Sequence, residues 1–97
     1  MTNVMIVEDQ KMIRSLLESY IRKEPGYRVV FSVSGAGLAP ELCKEAEINL
    51  ILMDVQTEHR ENGLSAVQKI KAGGSKAKIV VVTSLVDFDV LKKAKAF

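Results

Sequence analysis

Val4-Met5-Ile6-Val7-Glu8-Asp9 decides how this 97-residue chain is read: an unbroken apolar run, entered from Asn3, meets two adjacent carboxylates with no transition. A strand with one wet face alternates apolar and polar residues, whereas a run without alternation suits a strand buried on both faces. The pattern recurs twice. Asn49 to Met53 is a second strand of this kind, apolar from Leu50 and ending in Asp54, and Lys78 to Thr83 carries Ile79-Val80-Val81-Val82 and closes on Thr83-Ser84. Tyr27 to Ser34 is different in kind. It is β-branched and aromatic, with Val29, Phe31 and Val33 alternating against Arg28, Val30 and Ser32, as expected of a strand at the sheet margin.

Between these runs the apolar period changes to that of a helix. Met12, Ile13, Leu16, Leu17, Tyr20 and Ile21 form two adjacent rows, with Lys11, Arg14, Glu18 and Arg22 opposite and Pro25-Gly26 as a stop. Leu38 to Ala46 predicts a second, shorter helix after the breakers Gly35 and Gly37. Val55 to Asn62 reads as a polar loop, and Gly63 to Lys71 as a helix with Leu64, Val67 and Ile70 on one side. Gly73-Gly74-Ser75 is a turn, and Val86, Val90, Leu91, Ala94 and Phe97 space out a fourth helix. Strict β-α alternation with short connections predicts an α/β fold: a parallel sheet with helices on both faces, in one domain.

Composition excludes several classes. With 47% hydrophobic and 27% charged residues the chain is neither disordered nor low in complexity. Fourteen Lys and Arg against twelve Asp and Glu leave a formal charge of +2, too balanced for a nucleic-acid-binding footprint. No apolar run approaches the ~20 residues of a membrane span. Cys43 is the single cysteine, so an intramolecular disulfide is impossible and a reducing, cytoplasmic setting is the expectation.

In open parallel sheets, reactive groups collect at the carboxyl ends of the strands, beside the point where strand order reverses. Three strand ends here are polar: Glu8-Asp9, Asp54 and Thr83-Ser84. Carboxylates gathered on one rim repel one another unless a cation intervenes, and Mg²⁺ favours such oxygen ligands while keeping several waters. An Asp carboxylate can also attack phosphorus to form an acyl phosphate, which makes Asp54 the candidate nucleophile, and the Thr83 hydroxyl could donate to a phosphoryl oxygen. Each acid on its own could equally be a helix cap or a loop acid; three at strand ends favour the chemical reading.

These residues carry a resemblance. Val7-Glu8-Asp9-Gln10, Leu52-Met53-Asp54-Val55, Gly63 and Val81-Val82-Thr83-Ser84 resemble, along the whole chain, the receiver domain of two-component response regulators. The resemblance implies the flavodoxin-like doubly wound parallel sheet of strand order 2-1-3-4-5. It also implies that Asp54 accepts a phosphoryl group from a sensor histidine kinase, that Glu8, Asp9 and Asp54 with the Gln56 carbonyl hold Mg²⁺, and that Thr83 is the switch hydroxyl. Such a domain is a phosphoacceptor rather than an enzyme acting on a free substrate. The run Glu8 to Arg14 is similar to regulators with a LuxR-type output, so DNA enters as a partner only through an output domain outside this sequence, and no membrane is involved.

The departures bear on these expectations. The family places a Met-Pro pair after the acceptor and its Gly one residue sooner; here Gln56-Thr57-Glu58-His59-Arg60-Glu61-Asn62 is longer and polar. The family also continues into a fifth strand ending in Lys and a fifth helix, while this sequence ends at Phe97, so residues 1–97 read as a receiver domain incomplete at its C-terminus. A receiver-like interaction module that is never phosphorylated is the alternative. With strand 4 left as an edge, either more chain or a homodimer is expected to cover it. A hydrolase of the haloacid dehalogenase type would need a second Asp where Gln56 stands. Gly35-Ala36-Gly37 lacks the third glycine of a dinucleotide loop, Pro40 being in its place. His59 stands alone among charges, and Lys92, Lys93 and Lys95 read as a solvated helix face.

Overall fold

The computed structural model describes residues 1–54 and 60–82, and the side chains of residues 1–35, 37–53 and 65–80. In chain order these form β1 (Thr2–Val7), α1 (Lys11–Lys23), β2 (Tyr27–Val33), a 3₁₀ turn (Ala36–Leu38), α2 (Ala39–Glu45), β3 (Leu50–Asp54), α3 (Arg60–Ala72) and β4 (Lys78–Val82). The strands are all parallel and lie in the order β2-β1-β3-β4. The two strands with unbroken apolar runs before an acid, β1 and β3, are therefore central, and the alternating β2 is at the margin. Among the described residues β4 pairs with β3 alone, so it forms the other margin there. The fourth helix expected over Val86 to Phe97 lies outside the described residues.

Strand parity sorts the core into two layers. Val4 and Ile6 of β1, Leu52 of β3 and Val80 of β4 pack with Leu17 and Ile21 of α1 on one face. Met5, Val7, Ile51 and Met53 pack with Ala39 of α2, Ile48, and Ala66 and Ile70 of α3 on the other. Because both faces are covered, side chains of either parity in β1 and β3 must be apolar, which is why those runs show no alternation.

Four expectations need correction. The alternation of β2 is broken: Val4 pairs with Val29 but Met5 with Phe31, and the register shift there adds Val30 as an extra residue. Val29 consequently packs on the α1 face and Phe31 and Val33 on the opposite one, instead of sharing a side. In α1 only the row Ile13, Leu17 and Ile21, with Tyr20, meets the sheet; Met12 is 77% and Leu16 49% exposed. A helix on a sheet buries one stripe, and the second apolar row falls beyond it. The helix expected at Leu38 starts as a 3₁₀ turn and is α-helical only from Ala39, where Pro40 takes an early position that needs no N–H donor. Helix α3 begins at Arg60 rather than Gly63, so part of the polar segment after Asp54 is helical, and its described buried residues are Ala66 and Ile70, with Val67 packed beside them.

The amino end of the sheet is held by a polar clamp that the sequence pattern did not reveal. The Asn3 N–H donates to Asn49 Oδ1 at 2.8 Å, its Nδ2 to the Glu47 carbonyl at 2.8 Å, and its Oδ1 accepts from Arg28 Nη2 at 2.8 Å. Through its backbone N–H and its side chain together, Asn3 thereby ties β1 to Arg28 of β2 and to the segment Glu47 to Asn49 that leads into β3. At Gly26, φ is +84°, a left-handed turn open to glycine at low cost, and its carbonyl accepts from the Thr2 N–H that starts β1.

Candidate functional site

The carboxyl end of the sheet is built by register. Val7 pairs with Met53, so the residues that follow them, Glu8 and Asp54, stand level on adjacent strands, which in sheets run about 4.8 Å apart. Asp54 in turn pairs with Val82, the residue before Thr83. The chain steps outward from β1 to β2 and then returns past β1 to β3, so the switch point lies between β1 and β3, where Glu8, Asp9 and Asp54 gather. The strand β3 extends to Asp54 itself, one residue further than the apolar run, which fixes its backbone by pairing with β4. Gln56 and Thr83 lie outside the described residues.

The two acids of β1 have different surroundings. Glu8 is 1% exposed, and its Oε1 accepts from the Gln10 N–H at 3.0 Å. Gln10 is the N-terminal flanking residue of α1 and offers no capping side chain of its own, so Glu8 reaches forward to take one of the helix's first free N–H groups. A carboxylate there also sits favourably at the positive end of the helix dipole. Asp9, next in sequence, is exposed. One acid of the pair is thus built into the turn, and the other is turned out to solvent.

Such a donor set fits a hard divalent cation that keeps several waters, with Asp9 presented openly, Glu8 alongside and Asp54 level on the next strand. Among the described side chains no group of three His, Cys, Asp or Glu converges, the Asp54 side chain not being one of them. Sequence reasoning missed Arg14. Its Nη1 donates to the Glu8 carbonyl at 2.8 Å, and the signal that could have found it is a basic residue one helical turn into α1 after a strand-end acid.

Cys43 is a free thiol in α2, half-buried. Burial pushes its pKa up and a hydrogen bond with Ser75 opposes this, the net direction favouring the protonated thiol. It lies at the opposite end of the sheet from the acids, beside Ile48 and Asn49. Among the described residues no helix is long and apolar enough to cross a membrane.

A parallel sheet ordered 2-1-3-4 with acids at the switch point defines a class of domain, and comparison with known proteins names it. Residues 4–96 match the response regulator receiver domain, and the chain belongs to that family, the receivers of two-component systems. Over 89 residues it is 30% identical to the transcriptional regulatory protein LiaR of Bacillus subtilis, covering 92% of this chain and 42% of LiaR. A LuxR-family two-component response regulator from Aurantimonas shares its structure with a TM-score of 0.76 at 27% identity, over 97% of this chain and 67% of that one. CheY6 of R. sphaeroides, solved in complex with the phosphorylated P1 domain of CheA3, gives a TM-score of 0.74 at 22% identity, over 98% of this chain and 94% of the matched chain, a likeness of fold. The chain spans about two fifths of the length of curated relatives such as LiaR.

Proposed function

We propose that this receiver is a phosphoacceptor switch in which Asp54 takes a phosphoryl group from a sensor histidine kinase. The observation that carries the reading is the register Val7–Met53, which sets Glu8 level with Asp54 and leaves Asp9 exposed next to it. In the transfer a carboxylate oxygen of Asp54 forms the bond to phosphorus while the bond to the kinase imidazole nitrogen breaks, and the imidazole leaves after gaining a proton. Glu8, Asp9, Asp54 and the Gln56 carbonyl are the groups that would hold Mg²⁺, which when bound supplies charge neutralisation for the transferring oxygens. The phosphoryl group ends on the protein itself, so no free substrate is turned over. The kinase partner is supported by membership of the response regulator receiver family. Relatives such as LiaR are transcriptional regulators more than twice as long, which supports a cytoplasmic protein whose switch works a DNA-binding output.

The test is incubation with Mg²⁺ and acetyl phosphate followed by intact-mass measurement. One base-labile phosphoryl group per chain is expected; a chain that takes up none would leave the reading of an unphosphorylated interaction module.

Within this reading the acids should differ. Asp9→Asn is expected to weaken Mg²⁺ binding more than Glu8→Gln, because the Glu8 carboxylate is already engaged by the Gln10 N–H whereas Asp9 is open. Calorimetric titration with MgCl₂ checks the order, and equal or reversed losses would refute it. Thr83→Ala should leave labelling of Asp54 nearly intact but weaken the conformational response. Losing a hydrogen bond to a charged group costs about 1.5–3 kcal/mol, enough to move a two-state equilibrium roughly tenfold or more. An unchanged phosphorylation-induced shift in the amide NMR spectrum would contradict that role.

A further inference from the structure

We propose that Arg14 is a positioning residue, which holds the acidic turn between β1 and α1 in a cation-ready shape by donating from Nη1 to the Glu8 carbonyl. The inference rests on the Mg²⁺ reading above and assigns a further residue to it.

Three polar groups of Glu8 are tied to three different places. Its N–H donates to the Val33 carbonyl at 3.0 Å, fastening it to β2; its Oε1 accepts from the Gln10 N–H; its carbonyl accepts from Arg14. Asp9 lies between Glu8 and Gln10 and is exposed, so its backbone is restrained from both sides while its carboxylate stays available. Of the three ties, only the one to Arg14 comes from a side chain outside the turn. It is also the link by which the seating of α1 is transmitted to the turn. Ile13, beside Arg14, packs on the sheet together with Leu17 and Ile21, and the Arg14 N–H donates to the Gln10 carbonyl at 2.9 Å as the first bond of the helix. Helix side chains lean toward the N-terminus, which is how a residue in the second turn reaches back to a carbonyl that precedes the helix.

Charge and geometry make opposite predictions for this residue, and that makes the assignment testable. A guanidinium near the carboxylates repels a cation, so removing it should tighten Mg²⁺ binding if Coulomb forces dominate. Arg14 lines an open groove of about 580 Å³ with Ser32, Val33, Ser34, Gly35 and Leu38, where solvent screens that repulsion. Loss of the carbonyl tie, by contrast, lets the turn that presents Asp9 relax, and groups that orient metal ligands typically change affinity by about 10–100-fold.

The experiment is Mg²⁺ titration of the unphosphorylated full chain, followed by calorimetry and by the amide NMR shifts of Asp9 and Gln10, for the parent, Arg14→Met and Arg14→Lys. Met keeps the length of the stem and loses the donor; Lys keeps a donor and the charge. Arg14→Met should bind Mg²⁺ roughly tenfold more weakly than the parent, and Arg14→Lys should recover most of the difference. Binding by Arg14→Met as tight as or tighter than the parent overturns the proposal, as does a Lys variant no better than Met. If Arg14→Met does not fold, Arg14→Gln, whose amide is too short to reach the carbonyl, replaces it with the same two outcomes. A parent chain that binds no Mg²⁺ at millimolar concentration removes the metal reading itself, whereas a binding parent with unchanged variants removes only the role of Arg14.

Discussion

Asp54→Asn is expected to abolish phosphoryl labelling altogether, with the fold unimpaired. The carboxamide has no anionic oxygen to form the acyl phosphate, so the loss is of the reaction and not a fraction of its rate. Stability should not fall, because Asp54 is joined to β4 through the backbone, opposite Val82, and the substitution leaves those hydrogen bonds in place. It also removes one negative charge from a strand end that stands level with Glu8, which relieves repulsion in metal-free protein. Intact-mass measurement after incubation with acetyl phosphate, together with a thermal melt, reads both effects. A variant labelled as fast as the parent would show that the acceptor is another residue.

The largest expected effect on stability separates two neighbours in sequence. Leu17 is fully buried between α1 and the sheet, against Val4, Ile6 and Leu52, while Leu16 is about half exposed. Leu17→Ala removes packed methyl groups and leaves a cavity beneath the only described helix on that face, at a cost of about 2–5 kcal/mol. In a domain of this size each kcal/mol lowers the melting temperature by roughly 4–8 °C, so the variant should be close to unfolding at physiological temperature. Leu16→Ala should stay within about 0.5 kcal/mol of the parent, since it empties no cavity. Urea titration of both variants makes the comparison, and similar midpoints would mean that Leu17 does not carry the packing of α1 on the sheet.

Arg14 and Leu17 together show how the site depends on its support. Leu17 and Ile21 seat α1 on the sheet; Arg14, on the same helix, reaches the Glu8 carbonyl; Glu8 and Gln10 flank Asp9. A change in the seating of the helix is thereby carried to the exposed acid without any contact between Leu17 and the site. The milder variants at Arg14 and the severe one at Leu17 probe one chain of contacts at two points.

Much of the fold was legible in residue order because the determining signals are local. Unbroken apolar runs at Val4 to Val7 and Leu50 to Met53 announce strands covered on both sides, and the acids that end them mark the carboxyl edge. Chain order alone then required Glu8, Asp9 and Asp54 to share that edge once the strands were parallel, and the family resemblance supplied the strand order that the structure bears out. What remained hidden depends on contacts between segments distant in sequence. The extra residue at Val30 arises from pairing with β1, and nothing in Tyr27 to Val33 itself distinguishes a broken alternation from a regular one.

The sequence by itself thus determined the alternation of strands and helices among the described residues and that carboxylates end two of the strands, since periodicity and strand-end chemistry are properties of consecutive residues. Only the tertiary structure decided that Leu17 and not Leu16 enters the core, that Glu8 is buried as a helix-capping acid while Asp9 faces solvent, and that Arg14 grips the turn between β1 and α1. A helix with two apolar rows can turn either toward a sheet, and adjacent acids of nearly equal chemistry can exchange roles. The choice is made by the summed burial and hydrogen bonding of segments that meet only when the chain has folded.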